Sequence, residues 1–246
     1  QTWQLHALKG EFEKLFDLGM SAAEASQYNL QQLDLADGKY IDSAVNRADA
    51  AINPSVSTIS YMFCEWRKSN LGERRGEGMW SFLQDKISVY EETGAKIATN
   101  IEPMAVAILA PIMIRAHDTQ YASDIAFMDS TSCCDSEDHV VTFIMIMSQY
   151  GAVPAGVLIT SGQKEADYVA GLCLLQELLD GRAFGGQGHP SIIMTDNSTA
   201  EQNAVRDVWP KTRCMLCQFH VLQSVWRWLW SSSHNIPKED RKSLFT

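Results

Sequence analysis

The order in which short β-prone runs and helical runs follow one another after residue 125 is the strongest constraint on how this chain can fold. Ile125 to Cys133, Val140 to Gln149 and Ala155 to Thr160 are three strand-like runs joined by connections too short for a crossover helix. They are therefore expected to pair as an antiparallel meander. Glu165 to Leu179 changes to helical spacing, with Val169, Leu172, Cys173, Leu175, Leu178 and Leu179 on one broad apolar face. The glycine-rich stretch Gly181 to Gly188 ends that helix. Ser191 to Thr195 reads as a buried strand. Ser198 with Glu201 reads as a capping box opening a helix that turns Ala200, Ala204, Val205 and Val208 inward. After Pro210 come a fifth short strand, Arg213 to Cys217, and a helix, Val221 to Trp230. The sum, β-β-β-α-β-α-β-α, predicts an α/β fold whose mixed sheet carries helices on both faces.

Everything before residue 95 is expected to be helical. Apolar residues recur at helical spacing from Trp3 to about Glu92, and Ser21 followed by Glu24 is a capping box. Asn53 and Pro54 supply an N-cap and a first-turn proline for a helix carrying Val56, Ile59, Tyr61, Phe63 and Trp66. A loop rich in glycine and arginine, Gly72 to Gly78, precedes a helix through Trp80, Phe82, Leu83, Ile87 and Tyr90. Near Lys96 the pattern turns to β-prone runs. The organisation read from the sequence is thus a helical region over 1–95, a core over 96–235, and the start of a helical insertion over 236–246. A first residue Gln1 and a helical pattern still open at Thr246 make the chain read as a piece of a longer protein.

Charge narrows the function classes. Twenty Lys and Arg stand against 30 Asp and Glu, a formal net charge of -10, so no overall basic field can gather nucleic acid. Any contact with DNA has to be local. Apolar runs are too short and too interrupted to span a bilayer, and no signal peptide is visible at the start, so an intracellular protein with no membrane partner is expected. Six cysteines, among them the adjacent pair Cys133 and Cys134, lack the spacing of a disulfide scaffold. Cys64 and Cys173 fall inside expected core elements.

Two aspartates occupy positions where this topology gathers side chains: Asp129 in the first strand of the meander, and Asp196 at the end of the fourth strand. If those strands are parallel neighbours, the carboxylates meet. A carboxylate in an apolar strand needs a cation, a hydrogen-bond network or an exposed position. Magnesium takes oxygen ligands and leaves positions open for phosphate, which suits a carboxylate pair, and two such ions can serve an in-line displacement at phosphorus. The plainer alternative is that Asp196 bonds the backbone of the next helix start. Cys214, Cys217 and His220 offer three zinc-ligand types, but no fourth ligand stands at matching spacing, so the pattern argues against zinc. The alternative there is a small buried Cys214, with Cys217 and His220 fixing the strand-to-helix turn. Arg67, Lys68, Arg74 and Arg75 form the densest basic cluster, either phosphate contacts or a solvated face.

The strand order is the ribonuclease-H-like one, and the residues match a narrower pattern. Phe127-Met128-Asp129-Ser130-Thr131, Ala152-Val153-Pro154 leading to Ile159-Thr160-Ser161, Ile192 to Ser198 with Ala200-Glu201, and Leu216-Cys217-Gln218-Phe219-His220 occur in order on the expected elements. From Asn53 onward the chain resembles the transposase domain of Mutator-like elements, within the ribonuclease-H-like DDE transposases. The resemblance implies that Asp129 and Asp196 are the first two acids of a catalytic, metal-binding triad, and that Cys217 and His220 are the C-x-x-H signature. It places the third acid, a glutamate, beyond a helical insertion whose first helix begins near Ile236-Pro237, so Glu239 is read as a first-turn acid and the chain alone as inactive. It further implies Mg2+ or Mn2+ as cofactor, transposon ends and target DNA as partners, a nuclear location, and room for a homo-oligomer. A retired transposase domain that binds DNA or protein without catalysis, and another ribonuclease-H-like nuclease, are the competing readings.

Overall fold

The computed structural model describes residues 2–36, 40–73, 76–134, 137–149 and 151–245. The chain divides into two compact units, Gln1–Asp85 and Lys86–Thr246.

The first unit is helical, as expected: α1 (Thr2–Asp17), α2 (Ala22–Ala36), α3 (Tyr40–Ala48), α4 (Val56–Leu71) and the beginning of α5 (Gly76–Glu91). The Ser21/Glu24 capping box is reciprocal. The Ser21 N–H donates to Glu24 Oε2 at 2.8 Å, and the Glu24 N–H donates to Ser21 Oγ at 3.3 Å. The start of α4 differs from expectation. Its cap is Ser55, which accepts the Thr58 N–H at 3.2 Å. Asn53 is held back by the proline after it, which disfavours helical backbone at the preceding residue. Its amide instead donates to Arg47 O at 2.7 Å. The core of this unit is Phe12, Phe16, Ala25, Ile59 and Met62. Phe16 meets Phe63 edge-on at 5.1 Å, and the Trp66 indole N–H donates to Asp17 at 2.9 Å.

In the second unit the elements run β1 (Lys96–Asn100), β2 (Ala105–Leu109), α6 (Pro111–Ala116), β3 (Ile125–Thr131), β4 (Val140–Ser148), β5 (Gly151–Thr160), α7 (Glu165–Leu179), β6 (Ile192–Thr195), α8 (Thr199–Val208), β7 (Arg213–Leu216), α9 (Gln218–Trp230) and α10 (Lys238–Phe245). They build one mixed seven-stranded sheet in the order β1-β2-β5-β4-β3-β6-β7. Within it, β5-β4-β3-β6-β7 is the ribonuclease-H-like order: an antiparallel meander, then β6 and β7 added in parallel. The β1–β2 hairpin extends the sheet beyond β5.

Alternation along β4 shows which face is filled. Val140, Thr142, Ile144 and Ile146 are buried, whereas Phe143 between them is 43% exposed. Met128, Ile144 and Leu158 join Leu172, Leu175 and Leu179 of α7 in the main core. Helix and strand approach closely at Gly156, where a methyl group would lie 2.6 Å from Leu175 Cδ1. The bounds of α7 are those expected, and Val169, Leu172, Leu175, Leu178 and Leu179 of its expected face join the core. Leu174 is buried and Cys173 exposed, and Cys64 on α4 is exposed as well. All six cysteines are free.

Strand β5 starts four residues before the expected Ala155. Pro154 lies within the strand beside a β-bulge, where a missing N–H is tolerated. Ile144 opposes Gly156 while Met145 opposes Pro154, so Ala155 falls outside the ladder. His117, just after α6, supplies the missing partner by donating from Nε2 to the Ala155 carbonyl at 2.9 Å.

Among the described residues no helix is long and apolar enough to cross a membrane.

Candidate active site

Strands β3 and β6 are parallel neighbours with Ile125 opposite Ile192, Ala126 opposite Ile193 and Phe127 opposite Met194. Asp129 lies two residues beyond Phe127 and Asp196 two beyond Met194, so the register carries both carboxylates to the same end of adjacent strands. The two line one cavity of about 620 Å³, together with Ser130, Asn197, Cys217 and His220. Four of the residues singled out from the sequence thus share one wall.

Each is placed by local structure. Asp129 stands opposite Phe143 within the β3–β4 ladder, which runs on through Ser130 and Thr131, and its side chain is 69% exposed. Exposure therefore answers the cost of a carboxylate in this strand, and burial does not by itself demand a cation there. Asp196 accepts the Ser198 N–H on Oδ1 at 2.8 Å. The plainer role expected for it is real, and the bond also fixes the carboxylate's orientation at the cavity. Cys217 is the N-cap residue of α9, tied to β6 by its N–H to the Thr195 carbonyl at 2.7 Å. Helix α9 begins at Gln218 rather than Val221, which puts His220 in its first turn. There His220 Nε2 lies 3.6 Å from Asp129 Oδ1, and its Nδ1 is buried with no partner among the described residues.

One further acid belongs to this neighbourhood. The expected Ser198/Glu201 capping box forms only by half: Ser198 Oγ accepts the Glu201 N–H at 3.3 Å. The Glu201 carboxyl turns inward instead, where Oε1 accepts from Ser130 Oγ at 2.7 Å, and the residue is 1% exposed. Burial, and then the nearby charge of Asp196, push its carboxyl up to about 7, while the Ser130 hydroxyl opposes the rise. Burial likewise holds the adjacent Tyr168 phenol above its ordinary range. A signal for this burial was present in the sequence: Glu201, Ala204, Val205 and Val208 stand at i, i+3, i+4 and i+7, the inward face of α8.

Within the second unit, Cys214 does not line this cavity. Cys214 is half-buried rather than buried, and its thiol lies 4.0 Å from the Gln202 carbonyl. Among the described residues no three of His, Cys, Asp and Glu stand close enough together to hold a metal ion. Arg67 and Lys68 lie on α4 in the first unit, where Arg67 donates to the Gly72 carbonyl at 3.4 Å and Lys68 pairs with Glu73 at 2.8 Å. Arg74 and Arg75 lie outside the described residues. Arg227 of α9 does line the cavity, and no motif or charge cluster singles it out in the sequence.

A search of curated proteins finds no match to this chain. The family model of the MULE transposase domain matches residues 109–224, a stretch that includes Asp129, Asp196, Cys217 and His220. Over residues 109–224 the chain is similar to the MULE transposase domain.

Proposed function

We propose that the cavity is the catalytic centre of a DNA transposase, in which Asp129 and Asp196 hold Mg2+ or Mn2+ for cleavage of phosphodiesters and joining of a freed 3′-hydroxyl to target DNA. The observation that carries this reading is that Asp129 on β3 and Asp196 just past the end of the parallel β6 line one cavity inside the family-matched stretch. The donor set fits the ion. Magnesium is commonly held by one or two carboxylates, with waters and substrate phosphate completing the shell. When bound, such ions activate the attacking oxygen and stabilise the leaving one.

The chain's own residues do the rest. Asp196 is oriented by the Ser198 N–H, and Asp129 stands beside His220, whose Nε2 can orient it or carry a proton at the cavity wall. Arg227 supplies a fixed positive charge for a DNA phosphate in a chain whose net charge otherwise repels it. A third acid completes the centre in this reading, and it is not Glu239 of α10. The resemblance places it downstream of the insertion that begins near Pro237.

Calorimetric titration with Mn2+ tests the proposal. Binding by the wild-type chain that disappears in the Asp129→Asn, Asp196→Asn double variant is the expected result. Binding that survives in the double variant would overturn the assignment.

A further inference from the structure

We infer that Glu201 is a positioning residue of this site, a buried carboxyl that sets the spacing of Asp129 and Asp196 from behind. The inference rests on the metal-site reading above and adds a residue to it.

The geometry is a chain of contacts across three elements. Glu201 Oε1, on α8, accepts from Ser130 Oγ at 2.7 Å, and Ser130 directly follows Asp129 on β3. Ser130 Oγ is in turn 2.9 Å from Thr142 Oγ1 on β4, which is fully buried. With the single Ser130 proton given to Glu201, the Thr142 hydroxyl is the donor in that second contact. Glu201 Oε2 is buried and has no hydrogen-bond partner among the described residues, and the carboxylate of Asp196 lies near it. One side chain therefore grips the strand that carries the first acid and faces the second.

A purely local role does not explain this arrangement. The capping function that a glutamate has at this position is filled by Asp196, which takes the Ser198 N–H that Glu201 would otherwise accept. A packing function is better served by an apolar residue, because a buried acid with an unpaired oxygen costs free energy and a leucine of similar volume does not. Side chains that break the pattern of their own helix face in this way concentrate at functional sites. Residues behind metal ligands hold them in place, and their loss typically weakens metal affinity by about 10–100-fold.

The test compares wild type with Glu201→Leu and Glu201→Gln in the complete chain, by thermal melting, Mn2+ calorimetry and crystal structures. Expected for Glu201→Leu are a melting temperature no lower than wild type, a Mn2+ Kd weakened by about tenfold or more, and an Asp196 carboxylate displaced by roughly 1 Å. Glu201→Gln, which can still accept from Ser130 and present a polar atom to Asp196, should restore the affinity to within about threefold of wild type. A leucine variant that melts lower but binds Mn2+ unchanged, with superimposable carboxylates, would overturn the inference and leave Glu201 structural. A wild-type chain that binds no Mn2+ at all would sink the metal-site reading instead. The positions of the two aspartates in the crystals would then still decide for or against the positioning role.

Discussion

Replacing His117 by leucine probes how the sheet is held at its bulge. The ring is fully buried, donates from Nε2 to the Ala155 carbonyl at 2.9 Å and accepts the Phe184 N–H on Nδ1 at 3.1 Å. It also packs edge-on against Phe184 at 4.9 Å. Leucine keeps much of the volume and strands two buried backbone groups, at about 1–3 kcal/mol each, or ~2–6 kcal/mol together. At roughly 2–4 °C per kcal/mol for a unit of this size, the melting temperature should fall by at least ~4 °C. The pH dependence gives a second reading. Both bonds require the neutral ring protonated on Nε2, and burial lowers the pKa of His117 from its ordinary 6.5. Below 6.5 the unfolded chain therefore binds the proton that the folded one refuses. The stability His117 contributes is complete above 6.5 and is lost as pH falls through 6.5 toward the folded-state value. Urea unfolding of wild type and His117→Leu between pH 5 and 8 isolates this contribution as the difference between the two proteins. A difference that does not shrink on acidification, or a melting temperature unchanged by the substitution, would refute the reasoning.

Three shorter predictions follow from other parts of the structure. Gly156→Ala sets a methyl 2.6 Å from Leu175 Cδ1, a side chain that is itself fully buried, so it should cost about 1–3 kcal/mol in chemical denaturation; a neutral effect would mean that α7 can move away from β5. Phe16→Ala removes the ring that touches Phe63 and Trp66 and should cost the first unit about 3–5 kcal/mol. A loss below about 1 kcal/mol, read from helical circular dichroism in urea, would contradict the assigned core. Arg227→Ala should weaken DNA binding evenly across sequences and reduce the slope of log affinity against log salt by about 0.9; an unchanged slope would remove Arg227 from the phosphate contacts.

Much of the fold was legible because the strongest signals are local. The meander, the bounds of α7 and the strand–helix alternation after it follow from run lengths and breakers, and the parallel pairing that aligns Asp129 with Asp196 follows from topology. Tertiary context decided what was not legible. The β1–β2 hairpin lies in a β-prone stretch whose pairing depends on β5, far along the chain. The start of β5 at Gly151 was not legible, because the bulge that seats Pro154 in the strand depends on β4 and on His117. Glu201 matched a capping box, yet it became a buried acid because Asp196 filled the cap first and Ser130 stood within reach inside. On α7 the expected face packs except at Cys173, while Leu174 is buried beside it, a difference at the edge of the face that helical spacing alone does not fix.

The most direct test of the central claim is to let Fe2+ take the place of Mg2+ and cut the chain where it is bound. With ascorbate and peroxide, radicals formed at the ion cleave the nearest backbone. A single ion site built by Asp129 and Asp196 predicts cuts near residues 129 and 196 together, both suppressed by excess Mg2+ and both lost in Asp129→Asn. Cleavage near only one of them, or cleavage that Asp129→Asn leaves unchanged, would contradict the account.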